Sequence, residues 1–137
     1  MAAFVVDASV CLAWCFPDES TPEAEALLQR LTNGEEIAVA AHWPLEVLNA
    51  AMQGVRRRRI SARLAAGFLT RLASFRIQID AYQDLYRIGA IRQLAERRQL
   101  TAYDAAYLEL AMRLSLPLAT LDAALRKAAE AEGVTLL

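Results

Sequence analysis

Four carboxylates in this chain stand where a strand ends or a helix begins. Asp7 ends the apolar run 4–6, Asp122 follows the apolar stretch 118–121, and Glu46 and Asp104 fall in the first turns of predicted helices. Ligand sites of parallel α/β sheets lie outside the carboxyl ends of the strands. Carboxylates gathered there repel each other unless a cation joins them, and Mg²⁺ and Mn²⁺ prefer such oxygen ligands. The four acids therefore predict a divalent-metal site able to support attack of water on a phosphodiester.

Each acid also has a simpler explanation as part of a helix terminus. Asp7 and Asp122 could cap the helices that follow them, and Glu46 could complement a helix dipole. Thr101 and Asp104 have the spacing of a capping box. Capping explains each position alone, but four such acids in one α/β domain favour the metal site.

Three polar residues stand close enough in sequence to support these acids. Ser9 could cap the first helix and also orient Asp7, and Thr120 could place a hydroxyl inside the site. Asn49 lies three residues after Glu46, on the same helical face, and could hydrogen-bond its carboxylate.

Other site chemistries are poorly supplied. The single histidine, His42, is interpreted as structural, which leaves neither a zinc site nor a His-dependent triad. Cys11 and Cys15 are four residues apart, too far on a helix for a relaxed disulfide, and are expected to be core thiols. The five glycines are too scattered for a phosphate-binding loop.

The charge is distributed unevenly along the chain. The net charge is −1, yet residues 55–99 contain eleven arginines and three acids, including the run Arg56, Arg57, Arg58 and Arg59. This asymmetry indicates either a polyanion partner or a solvated helical surface.

The length of 137 residues and the apolar fraction of 56% suit one domain over residues 1–137, with a core covered on two faces. We expect no membrane span, since uncharged stretches reach only about ten residues. We expect no secretory signal either, and hence a cytoplasmic location.

The order of elements predicts an α/β fold with a mainly parallel sheet. Strands are expected at 3–7, 37–40, 77–79, 118–120 and 134–137. Helices are expected from Ser9 to the break at Pro17, then at 21–32, from Pro44 to the Arg run, from Ser61 over the stripe 64–72, at 81–97, from Thr101 through Met112, and at 122–131.

Four segments resemble the signature blocks of PIN-domain ribonucleases, and most closely those of the VapC toxins of prokaryotic toxin–antitoxin pairs. They are Phe4-Val5-Val6-Asp7-Ala8-Ser9, Trp43-Pro44-Leu45-Glu46-Val47-Leu48-Asn49-Ala50, Leu100-Thr101-Ala102-Tyr103-Asp104-Ala105-Ala106-Tyr107, and Ala119-Thr120-Leu121-Asp122. They occur in the family's order and span nearly the whole chain.

The resemblance implies a PIN-like three-layer α/β/α sandwich and RNA cleavage that depends on Mg²⁺ or Mn²⁺. It implies that Asp7, Glu46, Asp104 and Asp122 form an acidic quartet, with Thr120 as its supporting hydroxyl and Asn49 at a common polar position. It also implies a homodimer inhibited by a VapB-type antitoxin. The density of arginine at 56–59 exceeds the family's usual basic stretch, and these residues are candidates for RNA binding.

Three alternatives remain at this level. A non-catalytic PIN scaffold would bind RNA or a partner protein without cleaving, although the intact quartet argues against it. A phosphoacceptor receiver domain would need adjacent acids after the first strand, where Ala8 and Ser9 stand. A haloacid-dehalogenase-type phosphatase would need a second Asp at position 9.

Overall fold

The computed structural model describes residues 1–81 and 85–137. Over these residues the chain forms four strands and seven α-helices, with a 3₁₀ turn at Pro17–Glu19. The strands are β1 (Phe4–Val6), β2 (Ile37–Val39), β3 (Ile77–Ile79) and β4 (Leu118–Ala119). The helices are α1 (Ala8–Cys15), α2 (Pro22–Thr32), α3 (Trp43–Arg56), α4 (Ala62–Ala73), α5 (Leu85–Arg98), α6 (Ala102–Leu114) and α7 (Ala123–Ala131).

The sheet is parallel throughout, in the order β3-β2-β1-β4. All residues of β1, β2 and β4 are buried, as continuous apolar strands of a doubly covered sheet must be. Helix α1 contacts α2 and α3, and α3 contacts α4. Helix α6 contacts α5, α7 and β1. Together they give the three-layer α/β/α sandwich that the sequence predicts.

The parallel order brings the carboxyl ends of β1 and β4 side by side. Val5 pairs with Leu118 and Val6 with Ala119, so the residues that follow these strands, Asp7 and Thr120, lie at one edge. The backbone N–H of Asp7 donates to the Ala119 carbonyl at 3.2 Å, which extends the pairing to this edge. Residues 113 positions apart in sequence are thus placed in contact.

Local sequence signals explain most helix ends. Thr21, Ser61 and Thr101 each accept a hydrogen bond from a first-turn N–H, as predicted for N-caps. Gly34, just after α2, has φ of 95°, a conformation that favours glycine and ends the helix after Asn33. The first helix is capped by Asp7 rather than by Ser9, since Asp7 accepts from the Val10 N–H.

Two expectations about elements need comment. The predicted last strand, 134–137, is reduced to an isolated parallel bridge between Leu118 and Leu136. The Leu118 N–H donates to the Thr135 carbonyl at 2.8 Å, and the Leu137 N–H donates to the Leu118 carbonyl at 3.1 Å. The pairing stays this short beside β4, which itself spans only Leu118–Ala119. The predicted start of the helix at 81–97 falls next to residues 82–84, which lie outside the described residues.

The helices are short. None of them, over the described ranges 1–81 and 85–137, is both long and apolar enough to cross a membrane.

Candidate active site

Asp7 is the most deeply buried acid of the quartet, with a relative exposure of 3%. Both of its carboxylate oxygens accept hydrogen bonds from side-chain hydroxyls. Ser9 Oγ donates to Oδ1 at 2.6 Å, and Thr120 Oγ1 donates to Oδ2 at 2.5 Å. The Val10 N–H adds a long contact to Oδ1 at 3.4 Å. Asp7 is therefore both a helix cap and an acid with a fixed orientation.

The two hydroxyls are themselves held by the loop after β4. The Leu121 N–H donates to Ser9 Oγ at 2.9 Å, and the Asp122 N–H donates to Thr120 Oγ1 at 3.0 Å. Because each hydroxyl accepts from a backbone N–H, its own proton is free to point at Asp7. The sequence expectations that Ser9 orients Asp7 and that Thr120 supplies a hydroxyl agree with this geometry.

Burial makes the ionised form of Asp7 costly. Desolvation raises its pKa to about 6, against the lowering effect of the Ser9, Thr120 and Val10 hydrogen bonds, and the charge of Asp104 raises it further. A carboxyl group in this state gains from any cation that replaces its lost hydration.

Asp104 lies in the first turn of α6, where its N–H donates to Thr101 Oγ1 at 3.1 Å. Its side chain is half-buried. Partial burial raises its pKa, and the charges of Asp122 and Glu46 raise it again. Two quartet acids thus raise the pKa of Asp104, and Asp104 raises that of Asp7. The four carboxylates therefore share one electrostatic environment.

Asp122 caps α7, with the Leu125 N–H donating to Oδ2 at 2.9 Å. This is the capping role that the sequence allowed, and it coexists with a place beside Asp104. The residue is exposed, in contrast to Asp7.

Glu46, in the first turn of α3, is held by residues from two elements. The buried Tyr107 hydroxyl of α6 donates a hydrogen bond to Oε1, and His42 Nε2 lies 3.2 Å from the same oxygen. Burial raises the pKa of Glu46, but the hydrogen bonds from His42 and Tyr107 outweigh it and lower the pKa overall. The pKa of Glu46 is thus shifted down, whereas that of Asp7 is shifted up.

Tyr107 and His42 are site residues that the sequence did not single out, since Tyr107 had no predicted role and His42 was expected to be structural. Tyr107 follows Asp104 by three residues, which puts both on one face of α6. His42 precedes Glu46 by four residues and stands just before the first turn of α3. That spacing was the available signal. The expected partner, Asn49, is exposed and makes no hydrogen bond to Glu46; both residues belong to the described part of the chain.

The arginine run lies away from the quartet. Arg56 follows Glu46 by ten residues in α3, about 15 Å along the helix axis. Arg59 forms ion pairs with Asp18 and Glu19, and its guanidinium lies 4.1 Å from the Phe16 ring centroid. Within the described residues, Arg56, Arg57 and Arg58 are exposed and form no ion pair. The four arginines are therefore not equivalent.

The chemistry of the quartet fits a hard divalent cation. All its donors are carboxylate oxygens, the ligands that Mg²⁺ and Mn²⁺ prefer, and their mutual repulsion is what a cation would relieve. As the side chains lie, no three acidic, histidine or cysteine residues in ranges 1–81 and 85–137 are close enough to enclose an ion. Four like charges without a counter-ion are expected to stand apart.

Known proteins resemble this chain along most of its length. Residues 4–131 match the family model described as the PIN domain. The chain is 30% identical over 120 residues to Ribonuclease VapC3 of Pyrobaculum aerophilum, covering 86% of this chain and 88% of that protein.

Solved structures have the same fold. The crystal structure of PAE2754 from Pyrobaculum aerophilum superposes with a TM-score of 0.71 at 25% identity, covering 93% of this chain and 79% of that one. VapBC2 from Rickettsia felis, bound to a DNA fragment from their promoter, gives 0.63 at 16% identity, with coverages of 98% and 97%. FitAcB from Neisseria gonorrhoeae gives 0.62 at 19%, with coverages of 98% and 96%. The chain belongs to the PIN-domain family, and within it to the VapC proteins.

Proposed function

We propose that this protein is a ribonuclease toxin that hydrolyses RNA phosphodiester bonds with a divalent metal, Mg²⁺ or Mn²⁺, as a single domain over residues 1–137. The observation that carries the proposal is the electrostatic coupling of Asp104 with Asp7, Glu46 and Asp122 in a chain of the VapC family. A matching relative is a ribonuclease by name, which supports RNA as the substrate.

Asp7 and Asp104 are the proposed principal metal ligands, and Asp122 and Glu46 complete the acidic site. When bound, the metal neutralises charge on the phosphodiester and lowers the pKa of a water molecule, which supplies the nucleophile. The quartet needs that neutralisation, since four carboxylates alone repel a phosphate.

The chain's own residues orient the carboxylates. Ser9 and Thr120 each occupy one lone pair on an Asp7 oxygen and leave the remaining ones for a ligand. Tyr107 and His42 both approach Oε1 of Glu46, which leaves Oε2 for the site. Because Glu46 stays ionised, it is the proposed acceptor for a proton released by the attacking water, directly or through another water.

Two partners besides RNA belong to the proposal, a VapB-type antitoxin and a second copy of the chain. Structural neighbours include VapBC2, which supports a toxin–antitoxin pairing. A groove of about 960 Å³ between the end of α1 and the α3–α4 corner offers a docking surface. Its lining combines apolar side chains with arginines, among them Trp14, Leu64, Phe68, Arg58 and Arg63. This lining suits an amphipathic acidic segment better than a bare phosphate backbone.

The decisive experiment compares cleavage of a labelled single-stranded RNA by the wild type and by Asp7→Asn, with Mn²⁺ and with EDTA. We expect cleavage by the wild type with Mn²⁺ alone, and a loss of at least about a hundredfold in Asp7→Asn. Glu23→Gln, which alters an exposed first-turn acid of α2, is the matched control and should cleave normally.

Full cleavage by a purified, nuclease-free preparation of Asp7→Asn would overturn the proposal. RNA binding without cleavage, with Mn²⁺ present, would instead favour the non-catalytic PIN scaffold. Folding of each variant is checked by circular dichroism, so that a loss of activity is not a loss of structure.

A further inference from the structure

Three exposed apolar residues adjoin acids of the quartet in sequence. Leu45, Tyr103 and Leu121 each precede a quartet acid directly in sequence, and their relative exposures are 71%, 64% and 41%. Scattered exposed apolar side chains are common on proteins and need no explanation. These three residues, called the rim below, are candidates for contact with a substrate because each is next in sequence to Glu46, Asp104 or Asp122.

Tyr103 is the one aromatic member of this rim, and its ring is held in place from below. Its centroid lies 5.2 Å from that of His42 at an interplanar angle of 56°, and His42 lies 4.9 Å from Tyr107 at 59°. Tyr107 is 1% exposed, so the three rings form a column that rises from the core to the solvent. The same His42 and Tyr107 contact Glu46, which ties the column to the acidic site.

The site itself gives a phosphate backbone little electrostatic attraction. The guanidinium of Arg126, in the first turn of α7, is engaged with the Thr120 carbonyl at 2.9 Å and with the Leu137 carbonyl at 3.5 Å. The unpaired arginines of the run begin about 15 Å along α3 from Glu46. Apart from a bound metal, RNA binding at the quartet would therefore gain from contacts that do not depend on phosphate charge, and base faces supply them.

We propose that the exposed ring of Tyr103 is a stacking platform for one unpaired nucleobase beside the scissile phosphodiester. The inference rests on the proposed ribonuclease function and deepens it, because it assigns a base-contacting side chain to the site. A base within a duplex is already stacked on both faces and would have to be extruded before it could reach Tyr103.

The test measures binding rather than cleavage, with Mn²⁺ present and a labelled single-stranded RNA whose linkages cannot be hydrolysed. We expect Tyr103→Ala to weaken binding about tenfold, within the usual range for loss of one base stack, and Tyr103→Phe to bind like the wild type. Tyr86→Ala is the matched control, because Tyr86 is an exposed tyrosine of α5, 91% accessible and outside the ring column.

A second measurement separates stacking from a general structural effect. RNAs with a single abasic nucleotide are scanned against the wild type and Tyr103→Ala. At one position the abasic RNA should bind the wild type about tenfold more weakly and should show no further loss with Tyr103→Ala. Equal losses from Tyr103→Ala on every abasic RNA would overturn the platform, as would unchanged binding of intact RNA.

These outcomes are independent of catalysis. If the tenfold loss is seen but the wild type does not cleave RNA with Mn²⁺, the platform stands and the ribonuclease proposal fails. If the wild type cleaves but Tyr103→Ala binds normally, the ribonuclease proposal stands and the platform is refuted; the rim would then be assigned to a protein partner.

Discussion

The hydroxyl of Tyr107 donates a hydrogen bond to Glu46. It joins a buried phenol of α6 to a carboxylate in the first turn of α3. The bond fixes the side chain of Glu46 across 61 residues of sequence. It also forms between groups whose protonation states are clear: burial raises the pKa of Tyr107, and the hydrogen bond to Glu46 raises it further, so the phenol remains a donor.

Tyr107→Phe tests what this bond contributes to the proposed activity. The ring stays in the core, while Glu46 loses one of its two partners at Oε1. A hydrogen bond to a charged group is worth about 1.5–3 kcal/mol, so we expect kcat to fall about tenfold or more with the fold intact. Steady-state cleavage kinetics and a melting curve measure the two effects.

A double-mutant cycle with Glu46→Gln supplies the control for Tyr107→Phe. If Tyr107 acts only by positioning Glu46, the double variant should lose no more activity than Glu46→Gln alone. Additive losses would mean that Tyr107 acts on the site by some other route.

Asp7→Asn is predicted to stabilise the metal-free protein at neutral pH. The pKa of Asp7 is raised from 3.8 to about 6 in the folded state, mainly by burial, so folding favours its protonated form. Its contribution is fully favourable below about pH 4 and is lost as the pH rises through 6. The shift corresponds to about 3 kcal/mol above pH 6, and Asn removes this cost. Its amide oxygen can accept from one of the two hydroxyls, while its amide nitrogen has to donate to the other.

The measurement is the free energy of unfolding in EDTA at pH 5 and pH 7.5, by denaturant titration. The gap between Asp7→Asn and the wild type should be larger at pH 7.5 than at pH 5. The same gap at both values would show that Asp7 is not held with a raised pKa. Adding Mn²⁺ at pH 7.5 should stabilise the wild type and not the variant, because only the wild type keeps the ligand.

Local patterns in the sequence predict the helix ends and the positions of the four acids, whereas contacts between distant elements are not predictable in this way. The capping residues Thr21, Ser61 and Thr101 and the four strand-end or first-turn acids follow from short-range rules, and the structure places each where those rules predict. The contact between Thr120 and Asp7, by contrast, depends on β4 pairing with β1, which follows from topology and from no local spacing.

The hydrogen bond of Tyr107 is a second contact that local sequence patterns do not predict. Its position three residues after Asp104 is a typical core spacing, and apolar burial accounts for all but its hydroxyl. Only the packing of α6 beside the start of α3 reveals that the hydroxyl has a charged partner. The apolar pattern of 134–137 placed this segment beside β4, but it could not reveal that the pairing would be a single bridge.

The arginine run is predicted to divide by function. Arg59 is bound to Asp18, Glu19 and the face of Phe16, so Arg59→Ala should lower the melting temperature and leave RNA affinity nearly unchanged. Arg57, which is exposed at the end of α3, should show the reverse if the run contacts RNA: unchanged melting, with a shallower salt dependence of binding.

Salt titrations of RNA binding distinguish these cases. Removal of one arginine that binds a phosphate should reduce the slope of log K against log salt by about 0.7 for a single strand. An unchanged slope when Arg56, Arg57 and Arg58 are all replaced by Ala would refute RNA contact by the run and leave it to the proposed antitoxin groove.

Gly54 in α3 is predicted to be indispensable for the packing of the 3₁₀ turn against that helix. A Cβ atom built at Gly54 would lie 2.5 Å from Phe16 Cε1, well inside contact distance. Phe16 is 2% exposed and has the Arg59 guanidinium on its ring, so it cannot swing aside freely. Gly54→Ala should therefore destabilise the fold by about 1–3 kcal/mol, the usual cost of overpacking.

Gly67 in α4 is the matched control, because a Cβ atom there meets nothing within 4 Å. Gly67→Ala should stabilise the protein by about 0.5–1 kcal/mol, since alanine is the better helix former. Both variants are compared with the wild type by denaturant unfolding. Equal stability of Gly54→Ala and Gly67→Ala would show that the Phe16 ring can move aside. The Arg59 guanidinium on that ring would then not hold the ring in place.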